Sequence, residues 1–281
     1  MLSISAPCGV ENASGGPRSG APSVVRTTVL RTATQPEPEL GRPHVLDTQL
    51  ANVIVRIRGG AVCTGTPITG TRFVVTAAHC VLNADGGVVR FRQVLRDGVV
   101  YTPVSVLVNP AYHKSPGPLL DAAVLVMDQI LPGPSATLGD EFPSDGLVTL
   151  AGFQPLDTDG SLLRGTRYDN LPLPKGATGG VVRTNTAAVG CVRLASDAEI
   201  SDDQVRLPCG LIPGASGGGL FVERNGEQIL VGIISTVAAD LSFNGLVPLA
   251  ALHKLLDNPI PYTHALDVEA ATASITNTVR S

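Results

Sequence analysis

The chain of 281 residues has a net charge of −4 and a pI of about 5.7, so it lacks the basic balance with which a nucleic-acid-binding domain meets phosphate. Hydrophobic residues make up 43% and mean hydropathy is +0.24, which excludes a disordered chain, yet no apolar run reaches membrane-spanning length. With 31 glycines, 22 prolines and 16% charged residues, the composition favours short strands joined by turns over helical bundles.

Residues 1–45 are rich in Pro, Gly, Ser and Thr without hydrophobic periodicity and read as a flexible N-terminal extension or pro-segment. No continuous apolar leader core is readable there. Cys8 and His44 fall in this extension, and Cys8 is expected to stay unpaired.

From Ala51 the texture changes. The runs ANVIVRIRG, TRFVVTAAHCV, GVVRFRQVL, GVVYTPVSVLV and AAVLVMDQI are short, β-branched and bounded by Gly, Asn and Asp, which is strand spacing. His79 closes the second run. A lone histidine at a strand end is most often structural, but small Ala77 and Ala78 leave room for this ring to face a cleft. Asp121 stands at the head of the fifth run, where a buried carboxylate is costly unless paired. Beside a histidine it has a mechanical role: it accepts a hydrogen bond from one ring nitrogen so that the other can act as a base. His113, Tyr112 and Asp128 read as structural.

The stretch LPGPSATLGDEFPSDG separates a first β-domain, residues 46–140, from a second, residues 141–262. The second holds LVTLAGF, GGVVRTNTAAVGCVRLA and GGLFVERNGEQILVGIIST, and Asn225-Gly226 predicts a tight hairpin inside the last of these. Just ahead lies LIPGASGGGLF, one serine, Ser216, in a cluster of glycines. Glycine loses more conformational freedom on folding than any other residue, so such a cluster points to special turn geometry or to close approach of the main chain. PLAALHKLLD, with Pro248 in its first turn and apolar residues at 249, 252, 255 and 256, predicts a helix that carries His253 as a structural residue. Residues 263–281, with His264, read as a flexible tail.

None of the five cysteines has the C-x-x-C spacing of a metal site, and no metal or cofactor is implied. Cys63 with Cys80 and Cys191 with Cys209 are neighbouring pairs able to close loops of similar size. A bridge closing such a loop is worth about 3 kcal/mol in the chain-entropy model and belongs to an oxidising compartment. Buried free thiols are the alternative for the second pair.

TAAHC with His79, DAAVL with Asp121 and GASGGG with Ser216, in this order and at similar separations, resemble the chymotrypsin-like (trypsin-fold) serine peptidases, in their bacterial-type secreted form. The resemblance runs over roughly residues 50 to 257. It implies an all-β fold: two six-stranded antiparallel β-barrels packed together, the active site in the cleft between them, and a short C-terminal helix. It implies Ser216 as nucleophile, His79 as general base and acid, Asp121 as the group orienting His79, and the N–H groups of Gly214 and Ser216 as oxyanion hole. Cys63–Cys80 and Cys191–Cys209 would be disulfides.

The specificity floor would fall on Gly210 and the pocket wall on Ser235, Thr236 and Val237, near Gly245. No acid lies there, so small or medium apolar side chains are expected at the cleavage site rather than Lys or Arg. Many family members have Asp before the serine, pairing with a freed N-terminus. Ala215 cannot do this, so activity should not depend on such a terminus. The expected partners are a protein or peptide substrate and a protein inhibitor, with no nucleic acid and no membrane span; the chain is expected to be monomeric and secreted or extracytoplasmic. Two rivals remain: G-A-S-G-G also fits the nucleophile elbow of esterases, and the same scaffold can serve as a non-catalytic binding protein.

Overall fold

The ladder of each sheet in this computed structural model follows the apolar runs of the sequence. The structure describes residues 39–46, 49–58, 62–82, 93–109, 112, 120–156, 161–162, 186–201 and 204–257. Cys8, His113, His264, the C-terminal tail and most of the expected N-terminal extension lie outside the described residues.

In chain order, the described elements begin with β1 (His44–Val45) and a short helix, α1 (Gln49–Val53). Seven strands follow: β2 (Val55–Arg58), β3 (Val62–Pro67), β4 (Phe73–Thr76), β5 (Gln93–Arg96), β6 (Val99–Tyr101), β7 (Pro103–Val108) and β8 (Ala123–Met127). They form one curled antiparallel sheet in the order β6-β5-β2-β3-β4-β8-β7. The second half holds β9 (Thr137–Leu138), β10 (Leu147–Pro155), β11 (Thr186–Leu194), β12 (Glu199–Ile200) and β13 (Val205–Leu207). It continues with β14 (Gly219–Arg224), β15 (Glu227–Val237), β16 (Asn244–Pro248) and the helix α2 (Leu249–Asp257).

Together with β1, these strands make a nine-stranded sheet, eight of them along the antiparallel path β1-β11-β10-β14-β15-β16-β13-β12, with β9 added parallel to β15. The expectation of six strands per barrel and the observed seven and nine describe one architecture. β6 and β7 are a single run interrupted at Thr102, and β1, β9 and β12 are two-residue additions to six longer strands. His44, read as part of the extension, stands on β1 opposite Gly190 of β11.

Local chemistry explains the tight turns. Arg224 pairs with Glu227 across Asn225 (φ 54°) and Gly226 (φ 79°), the left-handed pair that a two-residue hairpin needs. Asp97 (φ 50°) and Gly98 (φ 78°) repeat the device between β5 and β6.

β4 and β8 are buried on both faces, which is why they read as unbroken apolar runs. Alternate residues point to opposite sides. Phe73, Val75, Val124 and Val126 join a core that includes Leu150, Phe221, Ile233 and Leu252 of the second half, whereas Val74, Leu125 and Met127 face a smaller core inside the first sheet. Each such side chain contributes about 1.5–3 kcal/mol by its burial. Leu249, Leu252 and Leu255 form the buried stripe of α2, which starts directly after Pro248. Polar links also join the halves: Arg56 of β2 lies 5.7 Å over the Phe153 ring of β10 and donates to Thr186 Oγ1 at 3.0 Å.

Candidate active site

β4 and β8 pair antiparallel with Thr76 opposite Ala123, so the chain leaving β4 and the chain entering β8 meet at one end of the sheet. After Thr76 the buried Ala77 leads into a 3-10 turn, Ala78–Cys80, which presents His79. Just ahead of β8, Asp121 comes to it from the other chain. His79 Nδ1 lies 2.7 Å from Asp121 Oδ2, and the His79 backbone N–H donates to Asp121 Oδ1 at 2.9 Å. The imidazole side chain is 39% exposed and the carboxylate 5%, so the ring bridges a buried acid and the solvent side of the cleft.

A carboxylate this deeply buried needs donors. Besides the two from His79, Ser235 Oγ donates to Asp121 Oδ2 at 2.5 Å, and the Tyr112 hydroxyl is hydrogen-bonded to the same carboxylate. Burial, and next to it the Asp121 charge, push the Tyr112 phenol well above its usual range, which keeps the hydroxyl protonated as a donor. Cys63 and Cys80 form a disulfide, Cα to Cα 6.1 Å, that fastens the turn bearing His79 to β3. Cys63, Cys80 and His79 bring their ligand atoms within 4.8 Å of one another. Both sulfurs are spent in the bridge, however, which leaves no thiolate to hold a metal.

The loop ahead of β14 follows from its Pro-Gly pair and its glycines. Ala215 N–H donates to Ile212 O at 3.2 Å, with Pro213 and Gly214 (φ 106°) in the central positions: the sequence and geometry of a type II turn. Gly217 (φ 79°) packs so closely on β3 and β4 that a Cβ there would lie 2.3 Å from Thr64 O. Backbone bonding in the loop is almost fully accounted for. Gly217 N–H donates to Ile234 O (2.7 Å) and Gly218 N–H to Ala215 O (2.8 Å), and Ser216 O accepts from Thr64 N–H (2.8 Å). Gly214 O accepts from Thr64 Oγ1 at 2.8 Å. The N–H groups of Gly214 and Ser216 have no acceptor among the described residues. Cys191–Cys209, Cα to Cα 6.0 Å, ties β11 to the chain entering this loop.

His79, Asp121, Ser216, Gly214, Ser235, Thr236 and Val237 all line one open cavity of about 630 Å³. Among the described residues no hydrogen bond joins the Ser216 hydroxyl to the His79 ring, whose Nε2 sits 3.7 Å from Cys80 Sγ. Gly210, expected at the specificity floor, does not line this cavity, and a Cβ built on it would meet the Leu241 carbonyl oxygen; Leu211 and Asn244 do line it. Ser235 lines the cavity, with its hydroxyl turned to Asp121.

Sequence reasoning read Tyr112 as structural and passed over Thr64, Gln154 and Asn244. Asn244 is buried and clamps Leu211 from both sides, accepting from its N–H and donating to its carbonyl, each at 2.8 Å. Gln154 Oε1 accepts from Ile212 N–H at 3.2 Å. His253 approaches Gly139 O at 2.9 Å, a link between α2 and the β9 region.

The sequence matches the family model described as a trypsin-like peptidase domain over residues 63–233. No curated protein sequence matches it. Among solved structures, the chain is similar to a Glu endopeptidase in complex with MPD, with 17% identity and a TM-score of 0.56 over 78% of this chain and 96% of that one. It is similar to the thermostable serine protease AL20 from an extremophilic microorganism, with 12% identity, a TM-score of 0.53, and coverage of 74% and 96%. The protease Anisep from Arthrobacter nicotinovorans shares 15% identity at a TM-score of 0.53, over 73% and 93%. At these identities the likeness is one of fold.

Proposed function

The chain belongs to the trypsin-like peptidase family, and on that premise we propose that it is a serine endopeptidase in which Ser216, His79 and Asp121 act together. The observation that supports this most directly is the ordered pair of His79 and Asp121, held at 2.7 Å, in one cavity with Ser216 and two unengaged N–H groups.

In this reading Ser216 Oγ attacks the scissile carbonyl carbon and its proton passes to His79 Nε2, whose other nitrogen is bonded to Asp121. The hydroxyl and imidazole close to bonding distance when substrate fills the cleft, since such contacts are commonly loose in the free enzyme. The N–H groups of Gly214 and Ser216 stabilise the oxyanion, with about 3–4 kcal/mol of barrier attached to a donor of this kind. Collapse of the tetrahedral intermediate breaks the C–N bond, and the amine leaves with the proton from His79. Water, deprotonated by His79, then attacks the acyl-enzyme, releasing the acid and returning the proton to Ser216.

The cavity is lined by Leu211, Ile212, Pro213, Ile234 and Val237, and no Lys or Arg lines it among the described residues. That supports small or medium apolar side chains at the cleavage site. A basic side chain would meet no acid beyond Asp121, already engaged with His79, and an acidic one would meet no cation. The two disulfides support an oxidising, extracytoplasmic location.

Labelling with a fluorophosphonate, followed by peptide mapping and a chromogenic peptide panel, tests the proposal. The expected result is an adduct on Ser216 and preference for Ala, Val or Leu substrates, with Ser216→Ala lowering turnover by about 10⁶-fold. No adduct would favour a binding protein, an adduct without peptide cleavage an esterase, and preference for Arg substrates would refute the specificity.

A further inference from the structure

We propose that Thr64 is a positioning residue that holds the loop of Ser216 with its two N–H donors turned toward the cavity. The inference rests on the serine-peptidase reading and concerns how the oxyanion site is kept in shape. Thr64 is fully buried on β3, next to bridged Cys63, and belongs to the opposite sheet from the loop it touches.

Four hydrogen bonds, each of 2.8 Å, converge on this residue. Its N–H donates to Ser216 O and its hydroxyl to Gly214 O; the same hydroxyl accepts from Phe153 N–H, and its carbonyl accepts from Thr76 Oγ1. The hydroxyl therefore accepts a hydrogen bond from β10 and donates one to the loop, a task that needs a donor and an acceptor on one atom. Valine has the same shape and can do neither, leaving the Phe153 N–H and the Gly214 carbonyl unpaired in the interior.

The consequence for the loop follows from Gly214. A glycine at the third position of a type II turn has almost no intrinsic preference for positive over negative φ. A turn this free can shift against β3 and β10, carrying the Gly214 and Ser216 N–H groups out of line with the cavity. Something outside the turn must oppose that motion. Thr64 fixes the Gly214 carbonyl on one side of Ser216 and the Ser216 carbonyl on the other, so the two peptide groups flanking the Ala215–Ser216 unit are held at once. Ala215 is apolar and contributes no charge to this task.

The test compares Thr64→Val, Thr64→Ser and the wild type by chromogenic peptide hydrolysis and by the inhibition constant of a peptide aldehyde, whose tetrahedral adduct places an oxyanion before the Gly214 and Ser216 N–H groups. Thr64→Val is expected to lower kcat about 100-fold with KM nearly unchanged and to weaken the aldehyde by a similar factor. Thr64→Ser, which restores the hydroxyl, should recover both. If Thr64→Val does not fold by circular dichroism, Thr64→Ala makes the same comparison. A hydroxyl-free variant that keeps wild-type kcat, or a loss that falls equally on KM, or a serine that rescues nothing, overturns the assignment while the wild type still takes a fluorophosphonate on Ser216. A wild type that takes no label removes the serine-peptidase reading itself.

Discussion

Replacing Gly214 by alanine puts the geometry of the loop that carries Ser216 to its hardest test. The new Cβ would lie 2.7 Å from the Phe153 carbonyl oxygen and 3.2 Å from Gln154 Cα, both backbone atoms of β10, at a φ of 106°. β10 cannot retreat, because it is paired with β11 along this stretch, Phe153 opposite Ala188. If the loop stays in place, the left-handed residue costs about 1–2 kcal/mol and the close contact adds a further 1–3 or so. For a chain of this size each kcal/mol lowers Tm by about 2–4 °C. If instead the loop moves to escape the clash, the Gly214 N–H leaves the place proposed for an oxyanion donor, and kcat is expected to fall by about 10²–10³. Thermal melting and peptide hydrolysis, measured on the same variant, catch either route. A Gly214→Ala protein with wild-type Tm and wild-type kcat would refute both the strained-turn geometry and the placement of the donor.

Other substitutions test separate parts of the site. Asp121→Asn keeps the shape but presents the wrong hydrogen-bond pattern to His79 Nδ1, and should lower kcat by about 10⁴ in a pH-resolved hydrolysis assay. Reduction of Cys63–Cys80, which spans 17 residues, should remove about 3 kcal/mol of stability, read as a shift in the urea midpoint. The Tyr112 phenol is raised above its ordinary value of 10.0 by burial and Asp121. Its stabilising contribution is therefore intact below about pH 10 and drains away as the pH climbs beyond that point. Urea midpoints of the wild type and Tyr112→Phe should converge above about pH 10, and a gap that stays constant with pH would count against the link to Asp121.

Much of this protein was legible in one dimension. The short β-branched runs bounded by turn residues marked the strands, Asn225-Gly226 marked its hairpin, and PLAALHKLLD marked the closing helix, because each signal depends on a residue and its near neighbours. TAAHC, the aspartate before AAVLV and the glycine cluster around Ser216 pointed to one cleft only through their joint resemblance to the chymotrypsin-like peptidases, and all three do line one cavity. Gly210 lies outside the lining of that cavity: a count back from Ser216 measures chain length, whereas the lining depends on which strand the chain folds against.

Only the tertiary structure could reveal that Ser235 turns its hydroxyl to Asp121 and that Tyr112 joins it. The same holds for Thr64, which reaches Phe153 across 89 residues and Gly214 across 150. Serine, tyrosine and threonine are ordinary in any strand or loop, and nothing beside them in the chain distinguishes these three. Their partners are chosen by the register of two sheets and by how the sheets pack, and burial then makes each unpaired donor or acceptor too costly to leave.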